Sequence, residues 1–298
     1  MQDCSESITR SKLDYFKEGI DRLLRTLSSR DRINIVAYSE TPSFCFADFT
    51  PVTPESLQAA ADFTSGLRAR GQTDLVSPLM HVLDLPRNPA RPLLVVLLTD
   101  GRPTMGTVDS SEIIARFSRL NKGSVSVFTV GAGDHVNRFL LDLLAHNNRG
   151  GLWIKPLRED IPALVENAAR ELSAPVLANL DYRFSSDAAA EVYPSALPHL
   201  YLDRPLRLVG KCPPGTRSAA LRILGASGPD AKDVVFHLDF ENAPDGGEGV
   251  RGEWAVQKIY SLLNDLIDSG RADVLAEIRD ISQRYNVPLH YGSDFPVK

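Results

Sequence analysis

Three things are scarce in this 298-residue sequence: long apolar runs, cysteine, and clustered positive charge. No apolar run approaches the roughly 20 residues that a helix needs to cross a bilayer. Three cysteines, Cys4, Cys45 and Cys212, are too few and too scattered for a zinc site or a disulfide framework. They are expected as reduced thiols, at least two of them buried. The formal net charge is −5, the pI is about 5.7, and no Lys/Arg cluster stands out, which argues against a nucleic-acid partner. The six histidines (His81, His135, His146, His199, His237 and His290) show no metal-ligand spacing such as H-E-x-x-H. What remains is an ordinary globular composition, 43% hydrophobic and 24% charged, in a chain long enough for about two domains.

The feature that stands out is an oxygen-rich pattern at the start, Asp3-Cys4-Ser5-Glu6-Ser7, a D-x-S-x-S string. Two later positions complete it: Thr73 in Gly71-Gln72-Thr73-Asp74, and Asp100 in Leu97-Leu98-Thr99-Asp100-Gly101. Two carboxylates and three hydroxyls form an all-oxygen donor set of the kind a hard divalent cation such as Mg²⁺ prefers. Alone, D-x-S-x-S describes many solvated turns. Its specificity comes from the order of the pieces and from their place on loops.

Periodicity supplies that placement. Residues 11–27 carry Leu13, Phe16, Ile20, Leu23, Leu24 and Leu27 at helical spacing. A β-branched strand follows at Ile33–Tyr38, and Phe44–Phe49 reads as a looser one. Thr53-Pro54-Glu55 opens a helix with a capping hydroxyl, a proline and an acid, running to about Leu67. Thr73 heads another helix. Leu93–Leu98 is continuously apolar, as a strand buried on both faces requires, and Asp100 lies at its carboxyl end. Further strands at Val125–Val130 and Leu152–Ile154 alternate with helices at 109–120, 136–144 and 161–172. The alternation predicts an α/β fold, a Rossmann-like doubly wound, mostly parallel sheet, with Asp3, Thr73 and Asp100 on loops at the ligand-binding end.

After Pro175 the rhythm changes to strands at 176–184, 206–210, 219–224 and 234–240, an all-β antiparallel region expected to form a sandwich. A Gly-rich acidic linker is expected over 243–252, then helices over 253–268 and 272–285. The predicted organisation is residues 1–174, 175–245 and a C-terminal helical segment, 246–298.

With these motifs in place, the chain resembles a von Willebrand factor A domain over residues 3 to about 172. The tail, through Glu277-Ile278, Tyr285 and Tyr291-Gly292-Ser293, is similar to inter-alpha-trypsin inhibitor heavy chains, whose bacterial relatives carry a VIT domain ahead of the A domain. The resemblance implies a metal-ion-dependent adhesion site. Ser5, Ser7 and Thr73 would ligate Mg²⁺ (or Mn²⁺ or Ca²⁺) directly, and Asp3 and Asp100 mostly through water. The open coordination position would go to an Asp or Glu of a partner protein. It also favours a secreted, periplasmic or cell-surface setting. Two departures stand out: Glu6 occupies a position that is commonly glycine, and only Met1-Gln2 precede Asp3, where the family has a central strand. The sequence therefore reads as N-terminally truncated.

Other motifs have plainer explanations. Gly131-Ala132-Gly133 lacks the third glycine or alanine of a dinucleotide fingerprint, since Val136 stands there. Gly225-Ala226-Ser227-Gly228 reads as a hairpin turn rather than a nucleophile elbow. Asp74 is expected to support a helix start, Arg102 to lie on an exposed loop, and His135 to sit near the ligand face. No nucleophile, general base or cofactor site is apparent, so a binding module is the leading reading. The rivals are a nucleotide- or NAD-dependent enzyme using the Gly131 turn, and a structural domain with an inactive metal site.

Overall fold

The structure is a computed structural model describing residues 1–88, 91–133, 135–173, 175–185, 190–291 and 295. It divides into two units, residues 1–88 with 93–174, and residues 89–92 with 175–298.

The first unit runs β1 (Gln2–Asp3), α1 (Arg10–Leu24), β2 (Arg32–Ile33), β3 (Val36–Tyr38), β4 (Pro42–Phe44), β5 (Thr50–Pro51), α2 (Pro54–Gly66) and α3 (Val76–Asp84). It continues through β6 (Leu93–Leu98), α4 (Ser110–Asn121), β7 (Val125–Ala132), α5 (Arg138–Asn147), β8 (Gly151–Lys155) and α6 (Ile161–Leu172). Six strands form one sheet in the order β4-β3-β1-β6-β7-β8, parallel except for β4. All eight residues of β7 are buried, as expected of a strand covered on both faces. Against the sheet, α1 packs on α6, and α4 packs on α5. The apolar stripe Leu13, Phe16, Ile20 and Leu24 of α1 meets Ile161, Leu164 and Val165 of α6 in the core.

β1 is only two residues long, yet it sits between β3 and β6: Gln2 is in register with Ala37 and Leu98, and Asp3 with Tyr38. The Met1 amine donates to the Val96 carbonyl at 2.7 Å, and Leu98 N–H donates to the Met1 carbonyl at 2.9 Å.

Several boundaries differ from the periodicity. The predicted strand at 33–38 is broken because the Asn34 side-chain amide donates to Phe46 O at 2.8 Å and accepts from Phe46 N–H at 3.1 Å, standing in for ladder bonds. Those same bonds occupy Phe46, and the strand expected over 44–49 lies instead at 42–44. Of the three free thiols only Cys4 is buried; Cys45 is half-buried and Cys212 exposed.

The second unit contains β9 (Pro175–Phe184), β10 (Ala190–Tyr193), β11 (Leu200–Tyr201), β12 (Val209–Lys211), β13 (Ser218–Ser227), β14 (Asp230–Asp239), α7 (Gly247–Ser269) and α8 (Ala272–Arg284). Its strands form a four-stranded antiparallel sheet, β11-β9-β13-β14, and a pair, β10-β12. The expected linker over 243–252 is largely helical, since α7 begins at Gly247. Gly249 and Gly252 each cost about 1 kcal/mol in a helix. Burial of Trp254, Ala255, Ile259, Leu262, Leu263 and Leu266 on the same helix outweighs that cost. The tail motif residues Gly292 and Ser293 lie outside the described residues.

One buried polar knot ties the first unit together. Asn121 donates to Val125 O and to Asn148 Oδ1, both at 2.7 Å, and accepts from Val125 N–H at 2.8 Å. Asn148 in turn donates to Leu144 O at 2.7 Å. The end of α4, the start of β7 and the end of α5 are thereby fixed together. Asn121→Ala strands several buried groups and should lower the unfolding free energy by about 1–3 kcal/mol, measured by denaturant titration.

Candidate functional site

Asp3 ends β1, and Asp100 follows the end of β6 by two residues, so neighbouring parallel strands deliver both acids to one edge of the sheet. Both are buried, at 0% and 3% exposure. The two oxygens of Asp3 are held separately: Oδ1 accepts from Ser5 N–H at 2.9 Å, and Oδ2 from the Thr99 hydroxyl at 2.6 Å. Thr99 also accepts from Gly101 N–H at 3.0 Å. Asp100 Oδ1 accepts from Arg102 N–H at 3.2 Å, and its carbonyl from Asn137 N–H at 2.8 Å. Gly101 is required here: its φ is +69°, and a Cβ would lie 2.8 Å from Leu141.

The hydroxyl loop packs beside them. Ser5 Oγ lies 3.0 Å from Ser7 Oγ. Glu6 N–H donates to Gly71 O at 3.0 Å, and Arg70 N–H to Cys4 O at 2.8 Å, which draws the loop carrying Thr73 against the serine loop. Thr73 is itself clamped. Its N–H donates to Thr104 Oγ1 at 2.9 Å, and its carbonyl accepts from Thr104 N–H and Met105 N–H at 3.0 and 3.1 Å. Its hydroxyl oxygen is buried and has no hydrogen-bond partner. Asp74 is used otherwise, accepting from Val76 N–H, Ser77 N–H and Ser77 Oγ at the start of α3.

Burial pushes the Asp3 carboxyl above its ordinary range; the bonds from Thr99 and Ser5 oppose that, and the charge of Asp100 adds to it. On α1, Lys12 is 7% exposed. Burial pulls its ammonium down, against the charges of Asp100 and Asp3, which hold it up. A single lysine acts through space on two buried acids. A divalent cation would supply further positive charge and the unpartnered Thr73 oxygen would supply a donor atom, so the residues fit such an ion. Among the described residues no three His, Cys, Asp or Glu side chains gather into a metal cluster. Hydroxyl oxygens would have to complete any such donor set.

Ser7 and Glu6 are exposed, so that side of the loop faces solvent. Arg102 is exposed too, but its Nε donates to His135 O at 2.6 Å, tying the two loops together. A Cβ on Gly131 would lie 3.0 Å from Val136 and 3.4 Å from Thr99 O, so that glycine serves close packing. The sequence reading missed Thr99 and Lys12. Thr99 has a signal, a hydroxyl just before the acid at a strand end. Lys12 has one too, lying on the apolar face of α1 four residues before Phe16.

The family described as von Willebrand factor type A domain matches residues 1–153, just over half of the chain. Inter-alpha-trypsin inhibitor heavy chain H4 of Homo sapiens is 26% identical over 99% of this chain and 33% of its own length. Heavy chain H6 of Homo sapiens is 26% identical over 95% and 24%, and heavy chain 4 of Mus musculus 28% over 70% and 23%. The chain thus spans about a quarter to a third of the curated relatives it matches. Among solved structures, the von Willebrand factor type A protein from Catenulispora acidiphila superposes with a TM-score of 0.67 at 16% identity, covering 95% of this chain and 78% of that one. The ArnB paralog VWA2 from Sulfolobus acidocaldarius gives 0.56 at 20% identity, covering 96% and 79%. At these identities the structures report on fold alone.

The orphaned hydroxyl gives a sharp test. At cation concentrations about a hundredfold above Kd, binding should stabilise the fold by about 2.7 kcal/mol, read as a rise in melting temperature. Thr73→Val removes a buried oxygen that has no partner, so melting in chelator should hold or rise while the cation-induced gain shrinks. Asp3→Asn and Asp100→Asn should abolish the gain. A Thr73→Val protein that loses stability in chelator and keeps its full response to Mg²⁺ would assign the hydroxyl a structural role instead.

Proposed function

Because the chain belongs to the von Willebrand factor type A domain family, we propose that it is a protein-binding module acting through a divalent cation. Asp3, Ser5, Ser7, Thr73 and Asp100 hold the ion, Mg²⁺ or alternatively Mn²⁺ or Ca²⁺, and a partner protein offers it an Asp or Glu side chain. The observation that carries this reading is the buried Thr73 oxygen with no hydrogen-bond partner, on a loop bonded to the serine loop beside two buried acids.

The electrostatics favour an external acid. The direct ligands Ser5, Ser7 and Thr73 are neutral hydroxyls and Asp3 and Asp100 act mostly through water, so the ion is under-neutralised at its own shell and attracts a further carboxylate. Glu6, Gln72, Arg102 and Met105 are exposed on the same three loops and form a rim for contacts with the partner. A module of this kind performs no chemistry of its own. Its similarity to inter-alpha-trypsin inhibitor heavy chains supports a VIT-type protein working outside the cytoplasm. Among the described residues no helix is long and apolar enough to cross a membrane.

Partner capture from a native extracellular or periplasmic fraction tests the reading. Binding should be lost in chelator and restored by Mg²⁺, and Thr73→Ala should weaken the partner more than it weakens the ion. Since the Glu6 side chain is exposed, Glu6→Gly should leave affinity for an acidic ligand nearly unchanged. A partner retained equally in chelator would refute the cation bridge, even with the ion bound.

A further inference from the structure

β13 and β14 pair without a break from Ser218↔Asp239 to Ser227↔Asp230, closed by a turn in which Gly228 adopts φ +59°. β14 is the outermost strand of its sheet, and among the described residues its other edge pairs with no strand. It is ten residues long, and nine of the ten are exposed. Val234, Val235 and Phe236, at its middle, are 40%, 51% and 47% exposed. An open edge of that length, with apolar side chains at its centre, is a template for another backbone.

We propose that this edge pairs with the same edge of a second copy, β14 against β14, antiparallel about a two-fold axis through Val235. This inference is independent of the cation site. The choice of occupant rests on charge. Centred on Val235, the register sets Asp233 opposite His237 of the second copy, twice, and Val234 opposite Phe236 of the second copy, twice. Val235 faces its own counterpart. The remaining charges meet no like charge: Lys232 falls opposite Leu238, and Asp239 opposite Ala231. Moving the axis to Phe236 brings Asp233 opposite Asp239, a repulsive pair made twice. Moving it to Val234 leaves Asp233 opposite Val235, with no attraction gained. A carboxylate can accept a hydrogen bond from an imidazole N–H that faces it, and like charges facing across strands oppose pairing, so the strand's own sequence selects one register.

The sheet behind the edge suits this role. Phe236 is in register with Leu221, which is in register with Phe184; Val234 likewise leads to Ile223 and Tyr182. Each of these rows lies on the same face of the sheet, so a second copy extends two apolar rows across the axis. On the other face Arg222 holds Asp233 through two hydrogen bonds, at 2.9 and 2.5 Å, which fixes the carboxylate that meets His237 of the second copy.

Sedimentation of the full chain, from micromolar concentration upward and in the presence of chelator, tests the proposal. A concentration-dependent dimer is expected. His237→Glu creates two acid–acid pairs and should raise the dimer dissociation constant about tenfold or more. Asp233→Lys should do the same, because it removes both carboxylates that His237 meets across the axis. Mixing these two variants gives one glutamate–lysine pair and one native Asp233–His237 pair, and should recover the dimer. His237→Lys, which keeps the sign, should retain it. A wild-type chain monomeric at every concentration would overturn the proposal. So would a dimer indifferent to the charge changes, a mixture that fails to recover, or a dimer that dissociates in chelator.

Discussion

Two carboxylates, Asp3 and Asp100, are buried within reach of each other's charge at the ends of adjacent parallel strands. Like charges withdrawn from water cost several kcal/mol each unless other groups compensate. The surrounding structure works largely toward that compensation. Thr99 and the Ser5 amide bond the two oxygens of Asp3, and the Arg102 amide bonds Asp100. Lys12 contributes a buried positive charge from α1. Gly101 allows the chain to turn close against Leu141 and keep Asp100 in place. These groups compensate the acids only in part, which is why the carboxyl of Asp3 stays above its ordinary range.

The hydroxyl side of the site follows a different logic. Thr73 has its main chain bound on both sides, by Thr104 Oγ1 at the N–H and by two amides at the carbonyl, so its position is set without its side chain. A buried hydroxyl left out of such a network costs about 1–3 kcal/mol. Thr73 carries that cost although its own main chain is satisfied, which is the observation behind its proposed role as a cation ligand.

Much of this was legible in the sequence because two signals are strong there. The unbroken apolar run at 93–98 and the helical stripes around it specify a parallel sheet, and the order of Asp3, Thr73 and Asp100 places them at strand ends and loops. Side-chain substitution for backbone bonds was not legible. Asn34 interrupts a β-branched run by bonding Phe46, an effect that periodicity does not register. Nor could propensity foresee α7 running through Gly249 and Gly252, since the compensation comes from tertiary burial of Trp254 and its neighbours. Lys12 was overlooked for a similar reason: a lysine on an apolar face reads as tolerated until the acids it serves are placed next to it.

The edges of the two larger sheets make a last contrast. The first sheet ends at β4, three residues long and beginning with Pro42, and at β8, five residues long and ending in Lys155. The second ends on one side at β11, only two residues long. Short strands, proline and lysine are the usual means of keeping an edge from pairing with foreign chains. β14, at ten residues and with Val234, Val235 and Phe236 exposed at its centre, carries neither the shortness nor the proline. Its charges lie toward the two ends, and one antiparallel self-register sets Asp233 opposite His237 with no like charges facing. Among the described residues, three of the four edges of these two sheets are short or carry proline or lysine. β14, despite Lys232, stays long and apolar at its centre, and that contrast is the physical basis of the proposed self-pairing.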